Sequence, residues 1–423
     1  MYELTKLSNG MRVLSADLKD RASVGIGIWV KVGGRFEPKR ISGISHVLEH
    51  MVFKGTRNRS TRKIKEDVEG LGGMLNAFTG EESTCFFVKI LKNHMAQAFD
   101  VLADMVNHAL LDPKELAKER TVILEEIKMY LDLPSHHVHE LMSELLWPNQ
   151  SLGRPIAGTI ETVSNLKAKD LRNFLGQYYH PKNLLVSFCG SVPHHEIFKM
   201  TENSFGLRKP KELSRFDGAV SMQTSPRFHF LNKQTEQMHF VVGFHGLPKT
   251  HPDRYKLAVL NVILGANMSS RLFEEVREKR GLAYEIRSGL SFFEDAGALS
   301  ISAGVEPKKA ILATRVIMRE LKRLKKTLVS AGELKRAKDY FIGQFCLGLE
   351  DTLDHMLWIG DRTLFRNDLP DRERIFKNIQ AVQGEDIRGL AIKLLTTNGI
   401  NLSLIGSFDG SFEKTLKDEC VCD

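Results

Sequence analysis

Cysteine is scarce in this chain. Five residues in 423, Cys85, Cys189, Cys346, Cys420 and Cys422, are too few and too scattered for a disulfide framework, and they fit a reducing compartment. The Cys420-Val421-Cys422 pair stands too isolated to read as a metal site. Long apolar runs are also missing: no window approaches 18 uninterrupted hydrophobic residues, which excludes a membrane-spanning helix. A leader peptide is not expected, because an alternating strand pattern starts at Met1-Tyr2-Glu3-Leu4, and the expected location is the cytoplasm. Charge of one sign is not concentrated, since 60 Lys and Arg against 52 Asp and Glu leave a mild net charge of +8. The most basic run, Arg319 to Lys326, alternates with leucines at helical spacing and reads as a solvated helix face. Neither nucleic acid nor a membrane is therefore an expected partner. With 42% hydrophobic and 26% charged residues, the chain has material for two domains of about 200 residues each.

The most informative stretch is Ser45-His46-Val47-Leu48-Glu49-His50-Met51. At about 100° per residue, Ile44, Val47, Leu48, Met51 and Val52 fall on one arc of a helix, while His46, Glu49, His50 and Phe53 fall on the opposite one. The apolar face is complete without the histidines, so packing does not require them. Imidazoles at i and i+4 reach a common ion, and Glu49 beside them is placed to handle a proton of water. Ser42 is the expected N-cap and Gly55 the expected stop. A zinc site needs a third protein ligand, and a second helix offers one. Asp112-Pro113 opens it and it runs to about residue 130, before Pro134. Leu116, Ile123, Ile127 and Tyr130 define its buried face, with Glu119 and Glu126 on the edge and Glu125 pointing away. Glu126 is thus the expected ligand, and Glu119 the carboxylate that orients a histidine or holds the water.

Two halves of the chain read alike. Helices near 44 to 54 and 61 to 71, strands near 74 to 79 and 83 to 91, and a helix near 94 to 109 recur as helices near 253 to 264 and 269 to 279, strands near 283 to 293 and 297 to 304, and a helix near 307 to 325. The offset is about 210 residues, which indicates duplication of a domain rather than a solenoid. The fold class expected is α+β, with two duplicated domains, each a mainly antiparallel sheet with helices on one face. The first domain is placed at residues 1–210 and the second at 226–423, joined across the Gly- and Pro-punctuated stretch 206–226. Only the first copy carries the histidines.

These residues resemble the inverted zinc motif of the pitrilysin and insulinase metalloproteases. The resemblance covers nearly the whole chain. It rests on His46 to His50 with Glu119 and Glu126, on Gly55-Thr56, Leu75 to Thr79, Glu119-Arg120, Glu125 to Met129 and Gly153 to Ile156, and on Ser269 to Tyr284 in the second half. It is closest to the short bacterial processing-protease branch, similar to the mitochondrial processing peptidase β subunit. Two departures stand out: Val47 replaces a common aromatic, and Gly265-Ala266-Asn267 has fewer glycines than many relatives carry. The resemblance implies that His46, His50 and Glu126 bind one zinc ion per chain, that Glu49 is the general base and that Glu119 supports the site. It also implies that Arg277 and Tyr284 act on the substrate. From the residues alone those two read as an exposed helix arginine and a packed tyrosine. Family members close two such chains like a clamshell around a chamber, so a homodimer is expected, with Arg277 and Tyr284 of one chain serving the partner's zinc.

The expected activity is zinc-dependent endopeptidase action on peptides or unfolded polypeptide segments. An extended substrate would pair with the strand Leu75 to Thr79, where Asn76 and Ala77 supply hydrogen bonds and Phe78 either lines a side-chain pocket or faces the core. A non-catalytic scaffold subunit of the same fold is the alternative from another class, and a small-molecule zinc hydrolase a further one.

Overall fold

The computed structural model describes residues 2–213, 215–366 and 368–422, and among them two compact units. The first sheet has six strands: β1 Tyr2–Lys6, β2 Arg12–Asp17, β3 Ser23–Val30, β4 Met74–Thr79, β5 Thr84–Leu91 and β6 Leu184–Gly190. Their order is β1-β2-β6-β3-β5-β4, and only the β2–β6 pair is parallel. The second sheet has five: β7 Arg227–Asn232, β8 Met238–His245, β9 Ala283–Phe292, β10 Gly297–Val305 and β11 Asn401–Gly406. Here the order is β7-β11-β8-β10-β9, again with one parallel pair, β7–β11. The mainly antiparallel, helix-packed α+β class holds for both halves.

The duplicated layout is visible element by element. Helices Ile44–Val52 and Thr61–Glu69, strands β4 and β5 and helix Met95–His108 recur as helix Arg254–Leu264, a helical stretch ending in Phe273–Glu278, strands β9 and β10 and helix Ala310–Lys326. One difference is local. Over Phe273–Glu278 the turn widens to π geometry, with the Lys279 N–H donating to the Glu274 carbonyl at 2.9 Å, five residues back.

The chain divides differently from the contiguous scheme of 1–210 and 226–423. The first unit comprises Met1–Lys128, Pro155–Asp217 and Cys346–Pro370; the second comprises Met129–Arg154, Gly218–Phe345 and Asp371–Asp423. The change at Asp217 falls inside the 206–226 stretch, but two helices change sides. Helix Thr352–Leu364 covers the second face of the first sheet, setting Met356, Ile359 and Leu364 against Leu14, Trp29 and Leu185. Helix Pro134–Leu146 does the same for the second sheet, setting Val138, Leu141 and Met142 against Val241 and Ile405. Local pattern does not reveal which sheet an apolar helix face will cover.

Glycines in the central strands make room for both helices. A Cβ on Gly27 would lie 2.5 Å from the Met356 sulfur, and one on Gly243 would lie 2.3 Å from the Met142 sulfur. The same methionine-over-glycine contact thus appears in each copy. The helix side of the first interface is equally tight, for a Cβ on Gly360 would fall 2.2 Å from the Trp29 indole nitrogen.

Two glycine substitutions should therefore act in opposite directions. Alanine is favoured over glycine in a helix interior by about 0.8–1.0 kcal/mol, but forcing a methyl into a filled core costs about 1–3 kcal/mol. Gly360→Ala meets the rigid indole and should lower the melting temperature. Gly343→Ala, exposed within helix Ala331–Gly348 with nothing near its Cβ, should raise it by about 2–4 °C. Calorimetry of both variants checks the pair; a Gly360→Ala protein that melts above wild type contradicts the packing described.

Candidate metal centre

The helix Ile44–Val52 is not started by Ser42, as its sequence suggested. Gly43 takes the cap position at φ 93°, a conformation that favours glycine, and it has no side-chain oxygen with which to cap. The cap is Glu37: its carboxylate accepts the Gly43 N–H at 2.7 Å and the Ser45 N–H at 2.8 Å, both buried. A negative charge over free N–H groups at a helix start is favourable. Six of the nine helix residues are buried, Ile44, Ser45, Val47, Leu48, Met51 and Val52, which leaves His46, Glu49 and His50 on the polar face. The helix stops at Val52 with Phe53 as its cap, and Gly55 at φ 103° turns the chain afterwards.

The second helix, Pro113–Asp132, buries Leu116, Glu119, Ile123 and Ile127. Glu126 is partly buried on its edge, whereas Glu125 lies in solvent and pairs with Lys128 at 2.8 Å. Glu126 meets both histidines: its Oε1 lies 3.8 Å from His46 Nε2 and its Oε2 lies 3.6 Å from His50 Nε2. The two imidazole centroids are 4.7 Å apart. One donor atom from each of His46, His50 and Glu126 falls within 4.8 Å of the others, the one such group of three among the described residues. Donors held about 2.0–2.2 Å from one ion at tetrahedral angles sit about 3.3–3.6 Å apart, so small side-chain adjustments suffice to share a divalent ion.

Electrostatics fit that use. Burial, reinforced by the neighbouring His50, pushes the His46 pKa down to about 4 despite the charge of Glu126, so His46 is a neutral imidazole near pH 7. Its Nδ1 is buried and finds no hydrogen-bond partner among the described residues. His50 Nδ1 lies 3.3 Å from Glu119 Oε2, which leaves Nε2 for the cluster. The other Glu119 oxygen meets Lys54 Nζ at 2.5 Å. Lys54 was missed in the sequence, although His46, His50 and Lys54 share one face at four-residue spacing.

Glu49 is held from the sheet. The Thr79 hydroxyl donates to Glu49 Oε2 at 2.5 Å. Burial holds this carboxyl above the usual carboxylate range, with the Thr79 bond and His50 acting against it and Glu126 adding to it. Thr79 ends β4, the edge strand expected to meet a peptide. Strand alternation puts Leu75, Ala77 and Thr79 on the Glu49 side and Asn76 and Phe78 on the other. Asn76 caps its neighbour, its side-chain oxygen accepting the Ala77 N–H at 2.8 Å. Phe78 is half-exposed and packs edge-on to Trp29 at 5.7 Å, so it is not among the side chains beside Glu49. In the second unit, Arg277 and Tyr284 stand together, the guanidinium 5.1 Å from the Tyr284 ring and 4.7 Å from that of Phe273. Tyr284 is 79% exposed, so it is not the packed tyrosine that the residues alone suggest.

Comparison with known proteins gives the family. Residues 12–160 match the family described as Insulinase (Peptidase family M16), and residues 165–341 match the Peptidase M16 inactive domain. The chain belongs to peptidase family M16. It is 40% identical over 392 residues to an uncharacterized zinc protease of Bacillus subtilis, spanning 92% of this chain and 94% of that protein. Its fold is similar to that of a protease from Helicobacter pylori, with TM-score 0.90 and 24% identity over 96% of this chain and 99% of the other. It is also similar to a chain in Complex III2 from Candida albicans, with TM-score 0.86 and 18% identity over 99% of both. The match to the inactive-domain model accords with the second half, where helix Arg254–Leu264 carries no histidine.

The contrast between adjacent carboxylates gives a test of the cluster. Glu126→Ala should weaken divalent-metal binding by more than about 100-fold, beyond the 10- to 100-fold typical of a partner that only orients a ligand. Glu125→Ala should leave it unchanged. Metal content after dialysis, read by atomic emission, separates the two, and equal loss in both variants would argue against the ligand set.

Proposed function

We propose that this member of peptidase family M16 is a zinc-dependent endopeptidase that cuts peptides and unfolded polypeptide segments. The observation that carries the reading is the meeting of His46, His50 and Glu126 from two helices, with Glu49 on the same polar face. The zinc-protease name of the Bacillus subtilis relative supports it. One zinc per chain would be held by those three side chains. When bound, zinc in a three-ligand site polarises a peptide carbonyl and lowers the pKa of water from about 15.7 towards about 7.

The chain's own residues do the rest. Glu49 takes a proton from the attacking water and passes it to the leaving amine. Glu119, fixed by Lys54, keeps the His50 ring turned so that Nε2 faces the metal. An extended peptide pairs with β4 once the Asn76 side chain releases the Ala77 N–H. Arg277 and Tyr284 belong to the same reading: in a homodimer enclosing a chamber, they serve the partner's zinc. There the Tyr284 hydroxyl donates to the carbonyl oxygen as it becomes negative, a contact typically worth about 2.7–4 kcal/mol. We place the protein in the cytoplasm.

Two measurements test this. Glu49→Gln should keep its zinc and lose at least about 100-fold in kcat on an unstructured peptide library read by mass spectrometry. Chelator should abolish wild-type cleavage and added zinc restore it; a metallated wild type that leaves every peptide intact would sink the reading. For the dimer, mixing Glu49→Gln chains with Tyr284→Phe chains should recover activity through hybrids that hold one intact site. No recovery, with subunit exchange verified by mass, removes Arg277 and Tyr284 from the partner's site.

A further inference from the structure

We infer that Thr79 is a positioning residue for Glu49: its hydroxyl pins one carboxylate oxygen so that the other is aimed at the His46, His50 and Glu126 cluster. The inference rests on the peptidase reading for what this aim accomplishes, while the Thr79–Glu49 bond stands without it. Thr79 Oγ1 lies 2.5 Å from Glu49 Oε2, a short charge-assisted bond reaching across 30 residues of chain. No other hydrogen bond to the Glu49 carboxylate occurs among the described residues. A glutamate side chain has three rotatable bonds, so one fixed oxygen removes most of its freedom.

Thr79 is itself fixed from behind. It pairs with Thr84 across the β4–β5 ladder, and the two hydroxyl oxygens are 3.5 Å apart. Thr84 is fully buried and spends its own proton on the Val32 carbonyl at 3.0 Å. The much closer carboxylate therefore takes the Thr79 proton. Thr79 also ends the edge strand on which a peptide would pair, so one residue links strand position to the base. A threonine is suited to this place: its methyl fits a β-strand and its hydroxyl turns towards the helix.

The test uses the full-length, zinc-loaded protein with a quenched fluorogenic peptide chosen from the wild-type digest. Thr79→Val keeps the side-chain shape and removes the donor; Thr79→Ser keeps the donor. Expected for Thr79→Val is a kcat lower by about 10- to 100-fold, the loss of a hydrogen bond to a charged group, with KM within about threefold of wild type, zinc content unchanged and the protein still folded at the assay temperature. Thr79→Ser should recover most of the loss. Wild-type kcat in Thr79→Val, or a loss that Thr79→Ser fails to restore, overturns the inference. Crystal structures of the two variants decide the positioning independently of turnover. Glu49 should leave its wild-type rotamer in Thr79→Val and keep it in Thr79→Ser, and an unmoved Glu49 in Thr79→Val overturns the inference. A wild-type protein that cuts nothing would count against the peptidase reading alone.

Discussion

The candidate site depends on how one short helix is held, and the hold is the buried Glu37 carboxylate over the first N–H groups of Ile44–Val52. A nine-residue helix is marginal by itself. Its apolar face anchors it, but burial is non-directional and does not fix rotation about the helix axis to the accuracy that a shared ion demands. Two hydrogen bonds to a charged group, each worth about 1.5–3 kcal/mol, do supply direction. They set where His46, one residue past Ser45, must stand. Gly43 serves the same end, since its left-handed turn lets the chain fold back under Glu37 and its missing Cβ avoids the Ala157 carbonyl 2.6 Å away.

Charge shapes the site next. Glu49, Glu119 and Glu126 gather around two imidazoles, one of which is held neutral, with Lys54 as the ammonium paired to Glu119. Three partly buried carboxylates against one lysine form a region short of positive charge, which is costly unless a cation or protonation relieves it. Glu49 already leans towards protonation through burial. A divalent ion held among His46, His50 and Glu126 would relieve the imbalance, and imidazole and carboxylate donors suit such an ion. The same imbalance explains why Lys54 belongs to the design: without it, Glu119 would bring an uncompensated charge to the back of His50.

Much of this was legible in the residues because it is local and periodic. The face of Ile44–Val52 follows from i to i+4 spacing, and the choice of Glu126 over Glu125 from the buried stripe Leu116, Ile123 and Ile127. The repeat was legible because it recurs at whole-element scale. What could not be read is what passes between elements. Glu37 caps from six and eight residues away through a loop, outside the spacing of local capping motifs. Thr79 reaches Glu49 only because β4 lies beside helix Ile44–Val52. Phe78 sits one residue from Thr79 and therefore on the opposite face, which makes it a partner of Trp29 rather than a neighbour of Glu49. The exchange of helices Pro134–Leu146 and Thr352–Leu364 is non-local as well: each has an ordinary amphipathic pattern, and only Gly27 and Gly243, placed under Met356 and Met142, mark the seats that receive them.

Duplication separates what the fold requires from what the chemistry requires. Both copies place a helix, then a second helical stretch, ahead of an edge hairpin, and both seat a methionine over a strand glycine. In the second copy, helix Arg254–Leu264 buries seven of its eleven residues, including Leu257, Leu260 and Leu264. It carries no histidine. The first copy keeps three polar groups on a nine-residue helix and spends a buried carboxylate on orienting it, a choice that adds nothing to the core. A chain of Complex III2 shares the architecture at 18% identity, so architecture alone assigns no reaction. The assignment has to come from side chains that the fold does not need, and His46, Glu49 and His50 are such side chains: the helix would pack as well without them.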